Sequence, residues 1–240
     1  MLEWPVRSVL ITLMICLMLT TSLAWCEETV PKGDASKYNG DGQQVRIVVV
    51  GDPQPVERLR EIGFKAKHVA WQGLEPNENV DAEVIFLSTG WANDPHRYAY
   101  LESKSEQFHA FVKQGGGLLV CQPNPKSKCE PTLLPFPVTF RNGYDEFDTT
   151  RIGTGKEHFI TLGLEETDLP FPYDPILKID ERYTVLAMQK STQWPSLAAC
   201  AFGDGRIVIQ TGSENPKANL ILPNVAIKRM VLWAAHREMK

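Results

Sequence analysis

The chain has 240 residues, of which 43% are hydrophobic and 22% charged, and its 25 basic and 29 acidic side chains give a net charge of −4. These proportions are those of a folded globular protein, and they exclude a disordered chain, a collagen-like repeat and a membrane protein with several spans. The mild acidity and the lack of a Lys/Arg stripe argue against a nucleic-acid partner.

Residues 1–26 are predicted to form a secretory signal peptide. A basic residue, Arg7, precedes an uncharged apolar run over 8–25 that ends in small residues around Ala24. This order is typical of segments that direct export and are then cleaved. Two alternatives stay open, an uncleaved membrane anchor over the same run and a lipidated Cys26. All three interpretations export the rest of the chain to the periplasm or the extracellular space.

The exported part is predicted to be a short leader followed by one domain. Residues 27–44 are polar, contain glycines and show no periodicity, which indicates a flexible leader. Residues 45–240 contain no second linker and no internal repeat, so we expect one domain over that range.

The first half of this domain alternates apolar runs with helical patterns. Strands are expected at 45–50, 65–70, 84–90 and 118–121, and helices at 55–62 and 98–113. Strands of this kind, apolar at nearly every position and separated by helices, predict a parallel sheet that is covered on its faces.

The second half begins with an irregular segment. Residues 122–180 are rich in proline and aromatic residues, and we expect short strands there but no second core. Regular patterns then return as three strands and a closing amphipathic helix, expected at 183–188, 196–202, 206–210 and 219–237. The turn Gly203-Asp204-Gly205 between the last two strands predicts a β-hairpin.

Several segments resemble one known superfamily. FVKQGGGLLV (Phe111–Val120) resembles the helix-glycine-strand junction of class I glutamine amidotransferase-like domains. EHFITLGL (Glu157–Leu164) and FGDGRIVIQTG (Phe202–Gly212) resemble two elements of its ThuA-like branch, named for trehalose utilisation, and Asp81–Trp91 fits the same scheme. The resemblance covers 45–237. It implies a flavodoxin-like three-layer α/β/α sandwich with a mostly parallel central sheet and a late β-hairpin.

The amidotransferase chemistry is not expected to accompany this fold. That reaction needs a cysteine at a strand-to-helix turn flanked by glycines, together with a histidine base and an acid. Cys121 follows a predicted strand, but Leu119 and Pro123 stand where the glycines belong. The sequence has one H-x-E match, at 236–238 in the closing helix, where residues two apart point away from each other. Cys121 is then a buried apolar residue or half of a disulfide with Cys129.

His158 is the second candidate for chemistry. Its imidazole has the properties of an acid, a base or a metal ligand near neutral pH, whereas the alternative is a histidine that hydrogen-bonds the backbone of its loop. No cysteines and histidines stand at zinc-ligand spacing, and Gly51-Asp52-Pro53 lacks the glycines of a phosphate-binding loop. We therefore expect neither a metal nor a cofactor.

Polar residues follow the predicted strands at the edge of the sheet where α/β proteins bind ligands. The residues expected to meet there are Asp52, Gln54, Trp91, Gln122, Asn124 and His158. Amides beside a tryptophan suit a sugar or another neutral polar ligand, with the ring stacking and the amides hydrogen-bonding. The alternative for Trp91 is burial beneath the Pro-rich segment.

These patterns favour an exported, non-catalytic domain that binds a small polar ligand, with carbohydrate as one candidate, or that serves as an envelope accessory protein. One alternative is a hydrolase that uses Cys121 or His158 in an unfamiliar arrangement. Another is a protein-interaction module whose binding face is the Pro-rich, aromatic segment.

Overall fold

The computed structural model describes residues 44–76, 80–142, 150–153, 157–169, 174–212 and 224–237. The predicted signal peptide and all of the predicted leader except Gln44 lie outside the described residues. Across these ranges, no helix has both the length and the apolar character that crossing a bilayer requires.

The first half of the domain has the predicted alternation of strands and helices. Its elements are β1 (Arg46–Val50), α1 (Pro55–Glu61), β2 (Lys65–Val69), β3 (Val84–Leu87), α2 (Pro95–Ser103), α3 (Ser105–Lys113) and β4 (Gly117–Val120). The strand and helix predictions are confirmed to within three residues at each end, except that the second helix is divided in two.

The second half contains short strands in the Pro-rich segment and then longer ones. Its elements are β5 (Val138–Phe140), β6 (Thr150–Ile152), β7 (Ile176–Ile179), β8 (Thr184–Gln189), β9 (Pro195–Phe202), β10 (Gly205–Gln210) and α4 (Asn224–Ala234). His236, which was expected inside the closing helix, lies beyond α4 with a φ of 54°.

Eight strands form the main sheet in the order β2-β1-β3-β4-β10-β9-β8-β6, and β5 pairs with β7 in a separate two-stranded sheet. Strands β2, β1, β3, β4 and β10 are parallel, whereas β9, β8 and β6 continue the sheet antiparallel. The hairpin β9–β10 is joined at Gly203, whose φ is 64°. The predicted α/β architecture, mostly parallel with a late hairpin, is confirmed.

Helices cover both faces of the sheet, which makes three layers. Strand β1 shows the pattern: Ile47 and Val49 belong to the apolar cluster that contains α1 and α4, while Val48 and Val50 belong to the cluster that contains α2 and α3. A strand buried on both sides has apolar residues at every position, which explains the unbroken runs of the sequence.

The helix expected at 98–113 begins three residues earlier and breaks at Lys104. Asp94 caps its start, because its carboxylate accepts hydrogen bonds from the backbone N–H groups of His96 and Arg97, both at 2.9 Å. At Lys104 the backbone leaves helical geometry with φ −102° and ψ 10°, and the ammonium binds the carboxylate of Glu75 at 2.6 Å. The helical spacing of apolar residues continues across Lys104, so the sequence pattern did not indicate the break.

The glycines of the FVKQGGGLLV junction allow close packing of helices on strands. A Cβ built on Gly117 would lie 2.5 Å from the carbonyl oxygen of Ala234, at the end of α4. Gly205 is the first residue of β10, the strand that pairs with β4. A Cβ built on Gly205 would overlap the carbonyl oxygens of Val112 and Gly116. Both positions therefore accept only glycine without movement of the backbone.

Gly205→Ala is expected to destabilise the domain by about 1–3 kcal/mol, because the methyl group forces α3 away from β10. Gly73→Ala is the matched control, since no atom lies within 4 Å of a Cβ built there. It should change the free energy of unfolding by less than about 1 kcal/mol. Urea denaturation of both variants measures the difference, and equal effects would show that the close contact at Gly205 carries no energy.

Candidate functional site

The loops that follow the parallel strands are tied to one another at the carboxyl edge of the sheet. The backbone N–H of Gly90 donates to the carbonyl of Gln122 at 2.8 Å, and that of Ala92 donates to the carbonyl of Pro123 at 3.0 Å. The loops after β3 and β4 thus form one connected rim. This is the edge at which open α/β sheets bind ligands.

The loop after β1 is held by a buried serine. The Oγ of Ser88 accepts the backbone N–H of Asp52 at 2.5 Å and donates to the carbonyl of Val50 at 3.1 Å. The Asp52 carboxylate in turn accepts the backbone N–H of Gln54 at 3.0 Å. The structure therefore brings Asp52 and Gln54 to this edge beside Ser88, a residue that sequence reasoning did not select.

Trp91 occupies the core and does not offer its ring to a ligand. It is fully buried in the cluster that includes Leu133 and Leu134 of the Pro-rich segment. Its Nε1 donates to the carbonyl of Cys121 at 2.9 Å. Trp91 thus joins the loops after β3 and β4. Its ring is buried beneath the Pro-rich segment, which is the second of the two interpretations given above, and is not placed to stack on a ligand.

Gln122 and Asn124 lie at the same edge, after β4. Gln122 is buried, and Asn124 has a φ of 48°, in the left-handed region that asparagine tolerates better than most residues. The backbone N–H of Asn124 donates to the carboxylate of Asp174 at 2.6 Å, and Asp174 is fully buried. The Pro-rich excursion thus brings a carboxylate back to this rim.

Arg97 is a cation of this edge that sequence reasoning missed. From the first turn of α2 its Nε donates to the carbonyl of Trp91 at 3.0 Å, and its Nη2 donates to the carbonyl of Gly90. Burial lowers the pKa of Arg97, and the charges of Asp94 and Asp52 oppose this shift. The Asp-Pro pair at 94–95 was the signal that a helix start would place Arg97 here.

Four polar side-chain atoms at this edge are buried and make no hydrogen bond within the part of the chain that the structure describes. They are Gln54 Oε1, Gln189 Nε2, Ser196 Oγ and Gln210 Nε2. Gln210 ends β10, Gln189 ends β8, and Ser196 is the second residue of β9, so the antiparallel strands bring all three to the edge where Gln54 lies. Each of these three side chains is at most 1% exposed.

Cys121 does not lie at a strand-to-helix turn of the kind that a nucleophilic cysteine requires. It is fully buried on the side of the sheet that α1 and α4 cover, and no helix begins in residues 121–130. Cys129 packs against the opposite cluster, and both residues are thiols. The suggested disulfide between them is not formed, and the two side chains pack against different apolar clusters. Burial raises the pKa of Cys129 to about 12, so its thiolate is disfavoured.

His158 is not brought together with the other predicted site residues. Its ring lies 5.1 Å from the ring of Trp233, near the end of α4, and the carbonyl of Trp233 accepts a hydrogen bond from Arg206 at the start of β10. Cys121 lies beside the other end of β10. It is four strand positions beyond Gly117, the partner of Arg206, which corresponds to about 13 Å at 3.3 Å per residue. The two candidates for chemistry are therefore at opposite ends of the sheet.

The imidazole of His158 has a structural role in its turn. Its Nδ1 accepts the backbone N–H of Ile160 at 3.2 Å, so Nε2 carries the proton of the neutral ring. Burial, helped by the positive charge of Arg206, lowers the pKa of His158 to about 4. Across the described residues, no three side chains of His, Cys, Asp or Glu are grouped to hold a metal ion.

Comparison with known proteins identifies the fold. No family profile matches the sequence, and a search of curated proteins finds no match. A cytoplasmic protein of Salmonella typhimurium superposes with a TM-score of 0.58 at 13% identity, over 79% of this chain and 98% of that chain. A GMP synthase-like protein of Thermoplasma acidophilum superposes with a TM-score of 0.54 at 13% identity, over 80% and 95%.

A ThuA-like protein of Parabacteroides merdae superposes with a TM-score of 0.48 at 13% identity, over 82% of this chain and 91% of that chain. The two superpositions with the higher scores show that the chain shares the three-layer α/β fold of these two proteins, which is the fold that the resemblance of its segments implies.

The low pKa of His158 makes stability depend on pH in a defined direction. The neutral ring stabilises the fold fully above the ordinary pKa of 6.5, and this contribution is lost as the pH falls toward 4. Because the ring is partly exposed, we expect a loss of up to about 2 kcal/mol. His158→Gln, which cannot titrate, should lose less stability over that interval in urea denaturation at each pH. An NMR titration of His158 with a midpoint near 6.5 would contradict the burial argument.

Proposed function

We propose that this glutamine amidotransferase-like domain, of the ThuA-like kind, is a non-catalytic module that binds a small neutral polar ligand of the carbohydrate class. The binding site is the carboxyl edge of its sheet. The observation that carries the proposal is the set of four buried polar atoms of Gln54, Gln189, Ser196 and Gln210 that lack hydrogen-bond partners among the described residues.

Such atoms are costly in a folded protein. Leaving a buried donor or acceptor without a partner costs about 1–3 kcal/mol, against a typical total stability of about 5–15 kcal/mol. These atoms have almost no exposed surface, so a ligand would reach them only where the rim loops move apart. A sugar hydroxyl both donates and accepts hydrogen bonds, so a ligand of this class could then satisfy the Gln54 carbonyl and the Gln210 amide on the face that α1 and α4 cover, or the Ser196 hydroxyl on the other face. Several such atoms at the ligand-binding edge of an α/β fold support a function in binding.

The charges at this edge favour a neutral ligand. The guanidinium of Arg97 already donates to backbone carbonyls and is attracted by Asp94 and Asp52. The carboxylate of Asp174 accepts the backbone N–H of Asn124. The four atoms without partners belong to uncharged side chains, so an ionic ligand would find no dedicated counter-charge among them.

The geometry supports binding over the two alternatives. A hydrolase would need Cys121 in an open cleft with a base in reach, whereas Cys121 is fully buried and His158 is at the other end of the sheet. An interaction module would need an apolar face on the Pro-rich segment, whereas Leu133, Leu134 and Phe140 are buried. Among the described residues, Val225 is the one exposed large apolar side chain.

We also propose that the domain is exported, on the basis of the charge and hydropathy pattern of residues 1–26. N-terminal sequencing of the protein recovered from the periplasm or the medium tests this. A first residue at 25 or 27 supports cleavage, whereas a cytoplasmic protein that starts at Met1 contradicts export. Membrane-associated protein with an intact first segment, or with a lipidated Cys26, would identify the two anchored alternatives.

Binding is expected to raise the melting temperature of the full chain in a panel of mono- and disaccharides. Ser196→Ala should leave the ligand-free stability unchanged or raise it, because it removes a buried hydroxyl that has no partner among the described residues. The same substitution, and Gln210→Met, should reduce the sugar-induced shift by at least half. Gln114→Met, at an exposed glutamine just before β4 and therefore at the opposite edge of the sheet, is the control and should keep the full shift.

Two different results would contradict the binding proposal. If Ser196→Ala and Gln210→Met destabilise the ligand-free protein as ordinary hydrogen-bonding residues do, the polar atoms have a structural role. If no sugar of the panel changes the melting temperature, the carbohydrate class is wrong.

A further inference from the structure

The turn between β8 and β9 brings a tryptophan to the carboxyl edge. Trp194 directly precedes β9, and its carbonyl accepts the backbone N–H of Gln189, the last residue of β8, at 2.8 Å. Trp194 is partly exposed. Of the tryptophans that the structure describes, it alone belongs to neither apolar cluster and packs against neither, in contrast to Trp71, Trp91 and Trp233. A large aromatic ring that the core does not use is a candidate for contact with a ligand.

Hydrogen bonds order this turn. The hydroxyl of Thr192 accepts the backbone N–H of Trp194 at 3.2 Å and donates to Oε1 of Gln189 at 2.6 Å. Gln193 has a φ of 63°, and its side-chain amide donates to the carbonyl of Lys190 at 2.6 Å. The same bonds occupy Oε1 of Gln189 and leave its buried Nε2 without a partner among the described residues. A turn that is already ordered loses little conformational entropy when a ligand binds.

Arg141 holds the ring of Trp194 from the small sheet. Its guanidinium carbon lies 5.1 Å from the centroid of the ring, in a cation–π contact. Its backbone N–H donates to the carbonyl of Pro175 at 3.1 Å. Arg141 directly follows β5, whose Val138 and Phe140 belong to the cluster beneath α2 and α3. The ring of Trp194 is therefore on the side of the sheet that α2 and α3 cover.

The hydroxyl of Ser196 lies on the same side. In β9, Leu197 belongs to the cluster beneath α1 and α4, whereas Ala198 belongs to the other cluster, so the alternation of a strand places Ser196 with Ala198. The Oγ of Ser196 is one of the four buried atoms that have no partner among the described residues. Trp194 and Ser196, two residues apart, thus place an aromatic ring and a hydroxyl at one corner of the carboxyl edge.

We propose that Trp194 is the stacking surface of the carboxyl-edge site and that the ligand is a sugar in its pyranose form. This proposal rests on the proposed function and adds the shape of the ligand to it. A pyranose has a flat face of C–H groups that packs on an indole ring, while the hydroxyl groups around it form hydrogen bonds. Trp194 takes the stacking role that was expected of Trp91. Its ring is reached at the surface, whereas Ser196 is reached only where the rim loops move apart.

The melting temperature of the full chain tests the shape of the ligand. The probes are the methyl pyranosides of glucose, galactose and mannose, each compared with its open-chain alditol. Millimolar concentrations avoid the general stabilisation by polyols that are excluded from the protein surface. At least one pyranoside should raise the melting temperature, and its alditol, which has the hydroxyl groups but no flat face, should not.

Substitutions of Trp194 assign the binding to its ring. Trp194→Ala and Trp194→Leu should each weaken binding of that pyranoside by about tenfold or more, because neither side chain can stack, whereas Trp194→Tyr should keep most of the affinity. Trp71→Phe is the control and should bind as the wild type does. Trp71 is also partly exposed, but it follows β2, which is five strand spacings from β9, or roughly 24 Å. Binding should change the tryptophan fluorescence of the wild type and of Trp71→Phe, and this change should be absent in Trp194→Tyr.

The possible failures of the two proposals differ. If a pyranoside binds, and Ser196→Ala weakens its binding but Trp194→Ala does not, the stacking proposal is overturned and the proposed function stands. An alditol that binds as tightly as its pyranoside overturns the stacking proposal in the same way. If no pyranoside and no alditol changes the melting temperature of the wild type, both proposals are wrong.

Discussion

The burial of the parallel strands on both faces is the constraint on which the rest of this structure depends. In β1, β3, β4 and β10 nearly every side chain lies in one of two apolar clusters, one beneath α1 and α4 and the other beneath α2 and α3. Each fully buried aliphatic side chain contributes about 1.5–3 kcal/mol through removal from water. A polar residue inside such a strand would forfeit this energy, so polar side chains occur where the strands begin and end.

The two edges of one sheet consequently have different chemistry. At the carboxyl edge, Ser88 orders the loop after β1, Trp91 joins the loops after β3 and β4, and neutral amides are left buried. At the amino edge, the exposed cations Arg46 and Lys65 begin their strands. The close packing of Gly117 and Gly205 against helices fixes the distance between layers and thus the shape of both edges.

The strands and their parallel order were predictable because unbroken β-branched runs, separated by helical patterns, are stable only in a sheet covered on both sides. The position of His158 was not predictable, since its turn is placed by contact with Trp233, 75 residues later in the chain. Gln189, Ser196 and Gln210 were missed because each belongs to a strand, and only the pairing of β8, β9 and β10 shows that all three reach one edge. Helical periodicity likewise gave no sign of the break at Lys104, which turns toward Glu75.

The central claim is that the buried amides at the carboxyl edge hold a neutral polar ligand. The most direct measurement is the ¹H–¹⁵N NMR spectrum of the glutamine side-chain amides during titration with the sugars. The resonances of Gln54, Gln189 and Gln210 should shift together and saturate with at least one sugar, while that of the exposed Gln114 at the opposite edge stays in place. A sugar that stabilises the protein but leaves all three resonances unmoved, or a panel in which none of them shifts, would contradict the claim.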